Sequence, residues 1–530
     1  MIELEALDGE GRCQTVTVDG RGSVADALRA LGYALPFDCG GRGVCGRCRA
    51  FVSFDSESAR EVLTCQTPLA RARGRVRVDV SRLGRLASVE RDEFAELGAG
   101  VCGANEAIAP SREELRGELG VAVDLGTTTI VCALVSLATS RVLRVVGARN
   151  PQASFGRDVL ARIARASVDV GVARLMRELS SRAIGTLVAA HLSAFNLSES
   201  RVTEIVVAGN TTMEYLFSGF EVAPLGVAPF TAPQLTFPER RGTEFDWHEL
   251  RLENARVRVA PVMSAFVGGD ILVGLSRLFS RGAFDSGSNL LLDVGTNGEV
   301  VLGARGCFYA TSTAAGPAFE GGEISQGSLA EPGAIVGLDW DVSREFWRAR
   351  TLCELPARSV CGSGLVDALA ATLDFGALDP SGRFARRCAS TEANSRMSCC
   401  GRTRRFLISN SDSEVWLTQR DVRAAQLAVA AMKAGRRILR EVADVAEFNA
   451  VYLAGGFGAS VNRSSAARVG LIPSSAVSYY VGNSSLWGAV DALVGRVEWS
   501  SLLELSRRVE IVDLTSHNFT EIFTDALRFP

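Results

Sequence analysis

The sequence predicts a mixed α/β protein in two parts, a small N-terminal α+β domain and a large α/β domain with two similar halves. Three observations lead to this prediction. The segment FDCGGRGVCGRCRAF at 37–51 holds three cysteines among glycines and offers little apolar bulk for a core. VAVDLGTTTIVCALV at 121–135 is repeated in outline by LLLDVGTNGEVVLGA at 290–304. EIVVAGNTTM at 204–213 has a later counterpart in AVYLAGGFGAS at 450–460, so two halves carry the same order of parts.

Composition limits the classes of function. The chain has 530 residues, of which 47% are hydrophobic and 22% charged, and a formal net charge of −3. This length is sufficient for two to four domains, and the mildly acidic balance offers no broad field for nucleic acid. The start MIELEALDGEG lacks a signal pattern, and no apolar run is long enough to cross a bilayer. We therefore expect a cytoplasmic protein with neither nucleic acid nor membrane as a partner.

The scarcest residue types exclude several mechanisms. Lys433 is the sole lysine, and no P-loop glycine pair precedes it, which excludes a Walker-type ATPase. The histidines His191, His248 and His517 lie too far apart in sequence to form a zinc-binding helix motif. The chemistry is therefore expected to use cysteine, carboxylate, hydroxyl and backbone amide groups.

The N-terminal cysteines have the spacing of metal ligands. Cys39, Cys45 and Cys48 are spaced C-x5-C-x2-C, and Cys65 follows after sixteen intervening residues. Four thiolates in this order suit either a [2Fe–2S] cluster or a structural zinc ion. The interspersed glycines favour the cluster, because they let the loop wrap closely and direct N–H groups at sulfur.

The surrounding pattern favours a β-grasp domain over residues 1–86. IELEAL and QTVTV alternate like paired strands, SVADALRALG reads as a short helix, and RVRVDV as a closing strand. This segment resembles the [2Fe–2S] ferredoxins, with the longer first spacing of the adrenodoxin-like branch. We expect the remaining single cysteines to be small buried residues: Cys13, Cys102, Cys132, Cys307, Cys353, Cys361 and Cys388. Any role of Cys388, or of the adjacent Cys399 and Cys400 in a polar stretch that resembles a surface insertion, is left open.

Residues 87–118 read as a linker, and residues 119–530 as a two-lobed nucleotide-binding domain. In each Asp-x-Gly-Thr repeat the aspartate lies at the carboxyl end of a strand, and the glycine permits a tight reversal of the chain direction. The hydroxyls and amides that follow can bind phosphate without lysine, while Asp124 and Asp293 can hold Mg2+ or its waters. The predicted phosphate-binding residues are Gly126, Thr127, Thr128, Gly295, Thr296, Asn297 and Gly298, and Gly455, Gly456 and Gly458 would approach the purine and ribose.

The repeated arrangement resembles the superfamily of sugar kinases, actin and heat-shock chaperones, which implies a duplicated actin-like, ribonuclease H-like ATPase fold. More narrowly, the chain resembles the reductive activators of corrinoid-dependent methyltransferase systems. The resemblance rests on NPQASFGRDVLARI, VVAGNTTM, PLGVAPF, LLDVGTNGEVVL, STAAGPAFEGGEI, CGSGLVDALA, LTQRDVRAAQLAVAAMKAG, LAGGFGASVN and GNSSLWGA. It implies that the protein uses ATP and a [2Fe–2S] cluster to return an inactive Co(II) corrinoid on a partner protein to Co(I). An upstream low-potential electron donor is implied as well.

Within this resemblance, the loop STAAGPAFEGG at 312–322 is a candidate contact with the partner. Ser312 or Thr313 would offer an oxygen to cobalt; the alternative is a turn that packs the two halves together. Glu299 and Glu320 are expected to be carboxylates at solvent or at a domain interface.

The chain also departs from the family pattern. Family members commonly carry an extra domain between the ferredoxin domain and the two-lobed nucleotide-binding domain, which we call the clamp. Cys65 and Asp124 are too close in sequence for such a domain, so we expect it to be missing. Val429 replaces a lysine that is frequent in the family. The oligomeric state, a homodimer included, and the identity of the corrinoid protein, methyl donor and electron donor are left open. Two other classes of function also remain open, a small-molecule kinase with a regulatory cluster and a non-catalytic redox or nucleotide sensor.

Overall fold

The computed structural model describes the chain except at residues 1, 8–12, 19, 21–22, 31–48, 56, 81–110, 112–113, 115, 157, 249, 296, 342–345, 388–390, 401–402, 411–412 and 456–460. The chain divides into two compact units. Unit 1 comprises residues 1–89, 104–277 and 485–506, and unit 2 comprises residues 90–103, 278–484 and 507–530.

The N-terminal part of unit 1 is a five-stranded sheet with one described helix. Its strands are β1 Ile2–Leu7, β2 Cys13–Val18, β3 Arg49–Phe54, β4 Arg60–Leu63 and β5 Arg75–Asp79, and helix α1 spans Val24–Ala30. The strand order is β2-β1-β5-β3-β4, in which β1 and β5 are parallel and the other pairs antiparallel. Ile2, Leu4 and Ala6 alternate into the core of this sheet, as a strand with one buried face requires. The α+β prediction is confirmed, although β3 and β4 were not predicted.

The rest of unit 1 is built on a six-stranded sheet in the order β10-β11-β9-β6-β7-β8. Its strands are β6 Leu119–Leu125, β7 Thr129–Ser136, β8 Arg141–Arg149, β9 Val202–Gly209, β10 Arg240–Arg241 and β11 Arg256–Val259. Strands β6 and β9 are buried along nearly their whole length, which is typical of central strands covered on both faces.

Unit 2 has a second six-stranded sheet and two small three-stranded sheets. The strands are β12 Ser288–Val294, β13 Gly298–Ala304, β14 Cys307–Thr313, β15 Ala334–Asp341, β16 Phe346–Thr351, β17 Ser359–Val360, β18 Met397–Cys400, β19 Thr403–Ser409, β20 Val415–Thr418, β21 Ala450–Ala454, β22 Val477–Tyr480 and β23 Val509–Ile511. The large sheet has the order β22-β21-β12-β13-β14-β23, and the small ones have the orders β16-β15-β17 and β18-β19-β20. The polar stretch that resembled a surface insertion thus contributes ordered strands, and Phe406 and Ile408 on β19 are buried in the core of the unit.

The two large sheets repeat one topology. In each, three antiparallel strands are followed by two strands parallel to the first, giving the orders β8-β7-β6-β9-β11 and β14-β13-β12-β21-β22. The register is the same in both, because Asp124 on β6 is opposite Ala208 on β9, and Asp293 on β12 is opposite Ala454 on β21. The predicted duplicated ribonuclease H-like fold is confirmed.

The helices cover these sheets. They are α2 Val159–Val168, α3 Val170–Ala194, α4 Thr211–Ser218, α5 Ala223–Gly226, α6 Gly269–Ser280, α7 Gly362–Asp374, α8 Thr391–Ser395, α9 Gln419–Val442, α10 Arg463–Val469, α11 Ser484–Leu493, α12 Trp499–Arg508 and α13 Phe519–Ala526. The described residues include an apolar core under the N-terminal sheet and one on each large sheet. The boundaries predicted from the sequence, 1–86, 87–118 and 119–530, stay predictions.

Candidate nucleotide and cluster sites

The first Asp-x-Gly-Thr repeat forms the turn between β6 and β7 in unit 1. Asp124 lies at the carboxyl end of β6, and residues Gly126–Thr128 reverse the chain. A Cβ at Gly126 would lie 2.7 Å from the carbonyl oxygen of Thr129, so this reversal is tight enough to require glycine. The sequence therefore folds here as expected, with an aspartate and two threonines gathered at one sheet edge.

Two residues that the sequence analysis did not assign a role contact this turn. The Oγ of Ser485 on α11 donates to Oδ1 of Asp124 at 2.9 Å. The Nδ2 of Asn210 donates to Oγ1 of Thr127 at 2.9 Å, while Oδ1 of Asn210 caps α4 by accepting from the amide of Met213. Because Asn210 donates to the Thr127 oxygen, the hydroxyl proton of Thr127 can be given to another acceptor, such as a phosphate oxygen.

A buried carboxylate supports the same edge of the sheet. Glu214 on α4 accepts hydrogen bonds from the amides of Gly209 at 3.0 Å and Gly269 at 3.3 Å. Burial, and to a smaller extent the charge of Asp270, raises the pKa of Glu214 well above its ordinary value. Glu214 thus connects the end of β9, which Asn210 directly follows, to the start of α6.

The second Asp-x-Gly-Thr repeat forms the turn between β12 and β13 in unit 2. The amide of Gly295 donates to the carbonyl of Asn297 at 3.1 Å, which closes the turn, and Gly298 begins β13. Thr296 lies outside the described residues. The two repeats therefore form equivalent turns, one in each unit.

The glycine-rich strand end is placed beside the second aspartate. Gly455 follows β21 with φ +86°, and a Cβ there would lie 2.7 Å from Oδ1 of Asp293. Its amide donates to the carbonyl of Gly482 at 3.1 Å, and its carbonyl accepts from the Tyr480 hydroxyl at 3.2 Å. Gly456 and Gly458 lie outside the described residues. Both the close approach and the positive φ explain why this position holds glycine.

The two candidate partner-facing hydroxyls differ in accessibility. Thr313 is 2% exposed, and its Oγ1 donates to the carbonyl of Gly298 at 3.0 Å. Ser312 is half-buried, and its Oγ donates to Oε1 of Glu299, its cross-strand neighbour, at 3.1 Å. Of the two positions expected for Glu299, solvent does not apply, because Glu299 is 9% exposed and lies within the sheet, and the domain interface stays a prediction. Of the two residues, Ser312 is the partly exposed one, and its hydroxyl is bonded to a carboxylate.

The predicted cluster ligands lie mostly outside the described residues. This is the case for Cys39, Cys45 and Cys48, whereas the backbone of Cys65 lies in a short 3-10 helix, Thr64–Gln66. Of the other cysteines, Cys132 and Cys361 are buried as expected, but Cys13, Cys307 and Cys353 are exposed, so that expectation was wrong for these three. Cys399 is also exposed, and Cys102 and Cys388 fall outside the described residues.

Val429 and Lys433 lie one turn apart on α9 in different surroundings. Val429 is buried in the apolar core of unit 2. The ammonium group of Lys433 donates to the carbonyls of Ala526 and Arg528 at 2.9 and 2.7 Å, at the end of α13. Burial, reinforced by the nearby charge of Arg436, lowers the pKa of Lys433 to about 8. Lys433 is thus a structural cap for the C-terminal helix.

Two further observations concern the part of the chain that the structure describes. It contains no group of three or more His, Cys, Asp or Glu side chains arranged to hold a metal ion. None of its helices is long and apolar enough to span a membrane.

Comparison with protein-family models matches three regions of the chain. Residues 7–70 match the 2Fe-2S iron-sulfur cluster binding domain, residues 119–278 the RACo middle region, and residues 288–530 the C-terminal domain of RACo, the ASKHA domain. The expectation that the family's region between ferredoxin and clamp is missing was therefore wrong: residues 119–278, interpreted as the first half of the clamp, match the middle region.

The chain is also similar to individual proteins whose names refer to corrinoid activation or reduction. The chain is 28% identical over 378 residues to the corrinoid activation enzyme RamQ of Eubacterium limosum, a match that covers 69% of the chain but spans 62% of that relative's length. It is 23% identical over 450 residues to a [Co(II) methylated amine-specific corrinoid protein] reductase of Methanosarcina barkeri, covering 77% of each chain. Among solved structures, a reductive activator for a corrinoid, iron-sulfur protein has 25% identity and a TM-score of 0.70, covering 100% of this chain and 98% of the other.

Proposed function

We propose, from the premise that the chain belongs to the reductive activators of corrinoid-dependent methyltransferase systems, that it is an ATP-dependent reductive activator of a corrinoid protein. In this reaction one electron reduces an inactive Co(II) corrinoid on a partner protein to Co(I), in the cytoplasm. The observation that carries the proposal is the combination of a [2Fe–2S] domain with two equivalent aspartate turns of the actin-like kind in one chain.

Cys39, Cys45, Cys48 and Cys65 would hold the [2Fe–2S] cluster, by their spacing and by the match of residues 7–70 to a cluster-binding domain. When bound, a cluster of this kind supplies single electrons at low potential, near −400 mV for the plant type. Strands β3 and β5, which follow the cluster motif in the sequence, pair with each other within a buried core.

A requirement for ATP follows from the energy of the electron transfer. Reduction of an acceptor about 300 mV below the donor is disfavoured by roughly five powers of ten, or about 7 kcal/mol, at about 59 mV per tenfold change. Closure of a nucleotide-bound clamp on the partner can offset this free energy if the closed state binds the corrinoid with a changed axial ligand, since a ligand shifts an equilibrium by its differential affinity. ATP then has no need to donate a phosphoryl group to a substrate.

The turns supply the nucleotide contacts. Asp124, oriented by Ser485, and Asp293, beside Gly455, would hold Mg2+ or its waters. The hydroxyls of Thr127 and Thr128 and the turn amides would bind phosphate oxygens, together with Thr296 and Asn297 in the other unit. The close approaches at Gly126 and Gly455, which a Cβ would fill, fit a backbone cradle of this kind.

The partner would be a corrinoid protein of a methyltransferase system, with an upstream low-potential donor supplying electrons. Ser312 would face this partner and offer its oxygen to the cobalt. The bond from its Oγ to Glu299 fixes the hydroxyl proton on the protein side, which leaves the oxygen lone pairs for a metal ion. Thr313 is not suited to this role because its hydroxyl is bonded inside unit 2.

The proposal is tested by anaerobic absorbance spectroscopy. Cluster-loaded protein, a chemical reductant and a Co(II) corrinoid protein encoded near its gene are mixed with and without Mg-ATP. We expect the Co(I) spectrum to form only with ATP, and to be lost in Asp124→Asn but kept in the control Asp444→Asn, whose side chain is 95% exposed. Formation of Co(I) at the same rate without ATP, or in Asp124→Asn, would contradict the proposal.

A further inference from the structure

The motif NPQASFGRDVLARI contains three buried polar side chains that the proposed function does not use. Asn150, Gln152 and Arg162 are each 0 or 1% exposed. Buried polar groups need partners, because an unsatisfied one is destabilising. Their partners lie in and beside the first nucleotide turn, Gly126–Thr128.

Together, Asn150 and Arg162 bind three consecutive carbonyls of that turn. The side-chain Nδ2 of Asn150 donates to the carbonyl of Gly126 at 2.9 Å, and the backbone amide of Asn150 donates to the carbonyl of Thr128 at 2.8 Å. Between them, Nη2 of Arg162 donates to the carbonyl of Thr127 at 2.6 Å. In a trans peptide the C=O and N–H groups point in opposite directions, so the amides of Thr127 and Thr128 are directed away from Arg162 and Asn150. Successive amides on one side of a turn form a concave anion site.

Other residues fix the Arg162 guanidinium firmly. Its Nε donates to the carbonyl of Gly156 at 3.0 Å, and Nη1 donates to Oε1 of Gln152 at 3.1 Å. Gln152 is itself anchored, since its Nε2 donates to the carbonyl of Met176 at 2.9 Å. The side chain of Arg162 therefore has one orientation, fixed by α2 and by the residues that precede it.

The charge of Arg162 has no ion-pair partner among the described residues. Asp158 is the acidic residue whose charge acts on it, but that carboxylate caps α2 by accepting from the Ala161 amide at 2.8 Å. Burial lowers the pKa of Arg162 to about 10, so it remains protonated at neutral pH. A buried cation bonded only to neutral acceptors is costly, and a nearby anion would stabilise it.

We propose that Arg162 is a positioning residue of the nucleotide site. It holds the Gly126–Thr128 turn in its anion-binding form and places a fixed positive charge behind the turn that stabilises the bound phosphates. This role rests on the proposed function. It also explains how a chain whose sole lysine, Lys433, caps the C-terminal helix can bind a polyphosphate without a P-loop lysine.

The test measures binding of Mg-ATP, Mg-ADP and adenosine by calorimetry to the wild-type protein, Arg162→Lys and Arg162→Gln. The control is Arg436→Gln, because Arg436 in unit 2 is a half-buried arginine whose pKa is likewise lowered to about 10 by desolvation, and it donates to the carbonyls of Gly470 and Leu471. We expect Arg162→Gln to weaken Mg-ATP binding about 10- to 100-fold, the range found for residues that orient a binding group, Mg-ADP less, and adenosine not at all. Arg162→Lys should recover part of the loss by keeping the charge, and Arg436→Gln should bind as the wild type does.

A second variant keeps the arginine and cancels its charge. In Gln152→Glu the new carboxylate lies where Nη1 of Arg162 already donates, and its charge neutralises that of Arg162. The bond from position 152 to the Met176 carbonyl is lost, but the bond from Nη2 of Arg162 to the Thr127 carbonyl does not involve residue 152 and is retained. We expect Gln152→Glu to weaken Mg-ATP binding at least several-fold with adenosine binding unchanged, which also covers the case in which Arg162→Gln does not fold.

Several results would overturn the proposal. One is an unchanged affinity for Mg-ATP in Arg162→Gln or in Gln152→Glu. Another is an equal loss of affinity for adenosine and Mg-ATP, and a third is an Arg162→Lys variant that binds Mg-ATP no more tightly than Arg162→Gln. A wild-type protein that binds no Mg-ATP would contradict the proposed function itself. Normal wild-type binding with an unaffected Arg162→Gln would contradict only the role of Arg162.

Discussion

Replacing Gly455 by alanine tests whether the second aspartate turn binds nucleotide. Gly455 has φ +86°, and an added Cβ would lie 2.7 Å from Oδ1 of Asp293, well inside contact distance. An alanine in the left-handed region costs about 1–2 kcal/mol, and the Asp293 carboxylate has to move in addition. Displacing a group that orients Mg2+ lowers affinity about 10- to 100-fold. We expect Gly455→Ala to lose about that factor in Mg-ATP affinity.

Gly306 provides the matched control. It lies in the turn between β13 and β14 with φ +79°, and nothing lies within 4 Å of an added Cβ. Gly306→Ala should therefore show the same backbone strain of about 1–2 kcal/mol in urea unfolding without any change in Mg-ATP affinity measured by calorimetry. Equal losses of affinity in both variants would show that strain rather than the site is responsible, and wild-type affinity in Gly455→Ala would refute the placement of nucleotide beside Asp293.

Three further predictions concern the cluster, the partner and stability. Cys45→Ser should abolish corrinoid reduction and the cluster absorbance while Mg-ATP affinity stays unchanged; loss of both would show that the two domains are not separable. Ser312→Ala should slow Co(I) formation whereas Thr313→Ala should leave its rate unchanged, although each variant loses one hydrogen bond and about 1 kcal/mol of the free energy of unfolding; the reverse pattern of rates would exclude Ser312. His191 is fully buried and bonded to the carbonyl of Cys132, and its pKa is lowered to about 3, so the unfolded chain takes up the proton first as pH falls below about 6.5. This group should therefore lower the free energy of unfolding of unit 1 by about 2 kcal/mol between pH 7 and 5, as measured by urea titration. The variant His191→Gln should lack this decrease, and the same pH dependence in the variant and the wild type would contradict the prediction.

Much of the fold could be predicted because its signals are local. Alternation of apolar and polar residues in IELEAL indicated a strand with one buried face, and β1 has that pattern. The two Asp-x-Gly-Thr repeats were recognisable because each follows an apolar strand, and the shared register of Asp124 and Asp293 with an Ala-Gly strand end shows why the segments recur together. Strand ends and tight turns depend on neighbouring residues, which a single sequence displays.

The partners of the site residues could not be predicted in the same way. Ser485 bonds Asp124 from 361 positions away, and Arg162 reaches Thr127 across 35 positions, so neither pair leaves a local pattern. The motif around Arg162 was visible as a family signature, but only the fold shows that its polar side chains bind one turn. Cys307 and Thr313 lie on the same face of β14, yet Cys307 at the start of the strand is exposed and Thr313 at its end is buried, so their burial depends on what covers each end of the strand.

The central claim, that nucleotide makes an unfavourable electron transfer to cobalt proceed, is tested most directly by a single-turnover experiment. Protein with a reduced cluster and no excess reductant is mixed anaerobically with the Co(II) corrinoid protein, with or without Mg-ATP, and cluster and cobalt absorbance are followed together. The account predicts one Co(I) formed for each cluster oxidised, with Mg-ATP only. Equal Co(I) formation without Mg-ATP, or Co(II) and reduced cluster both persisting in its presence, would contradict it.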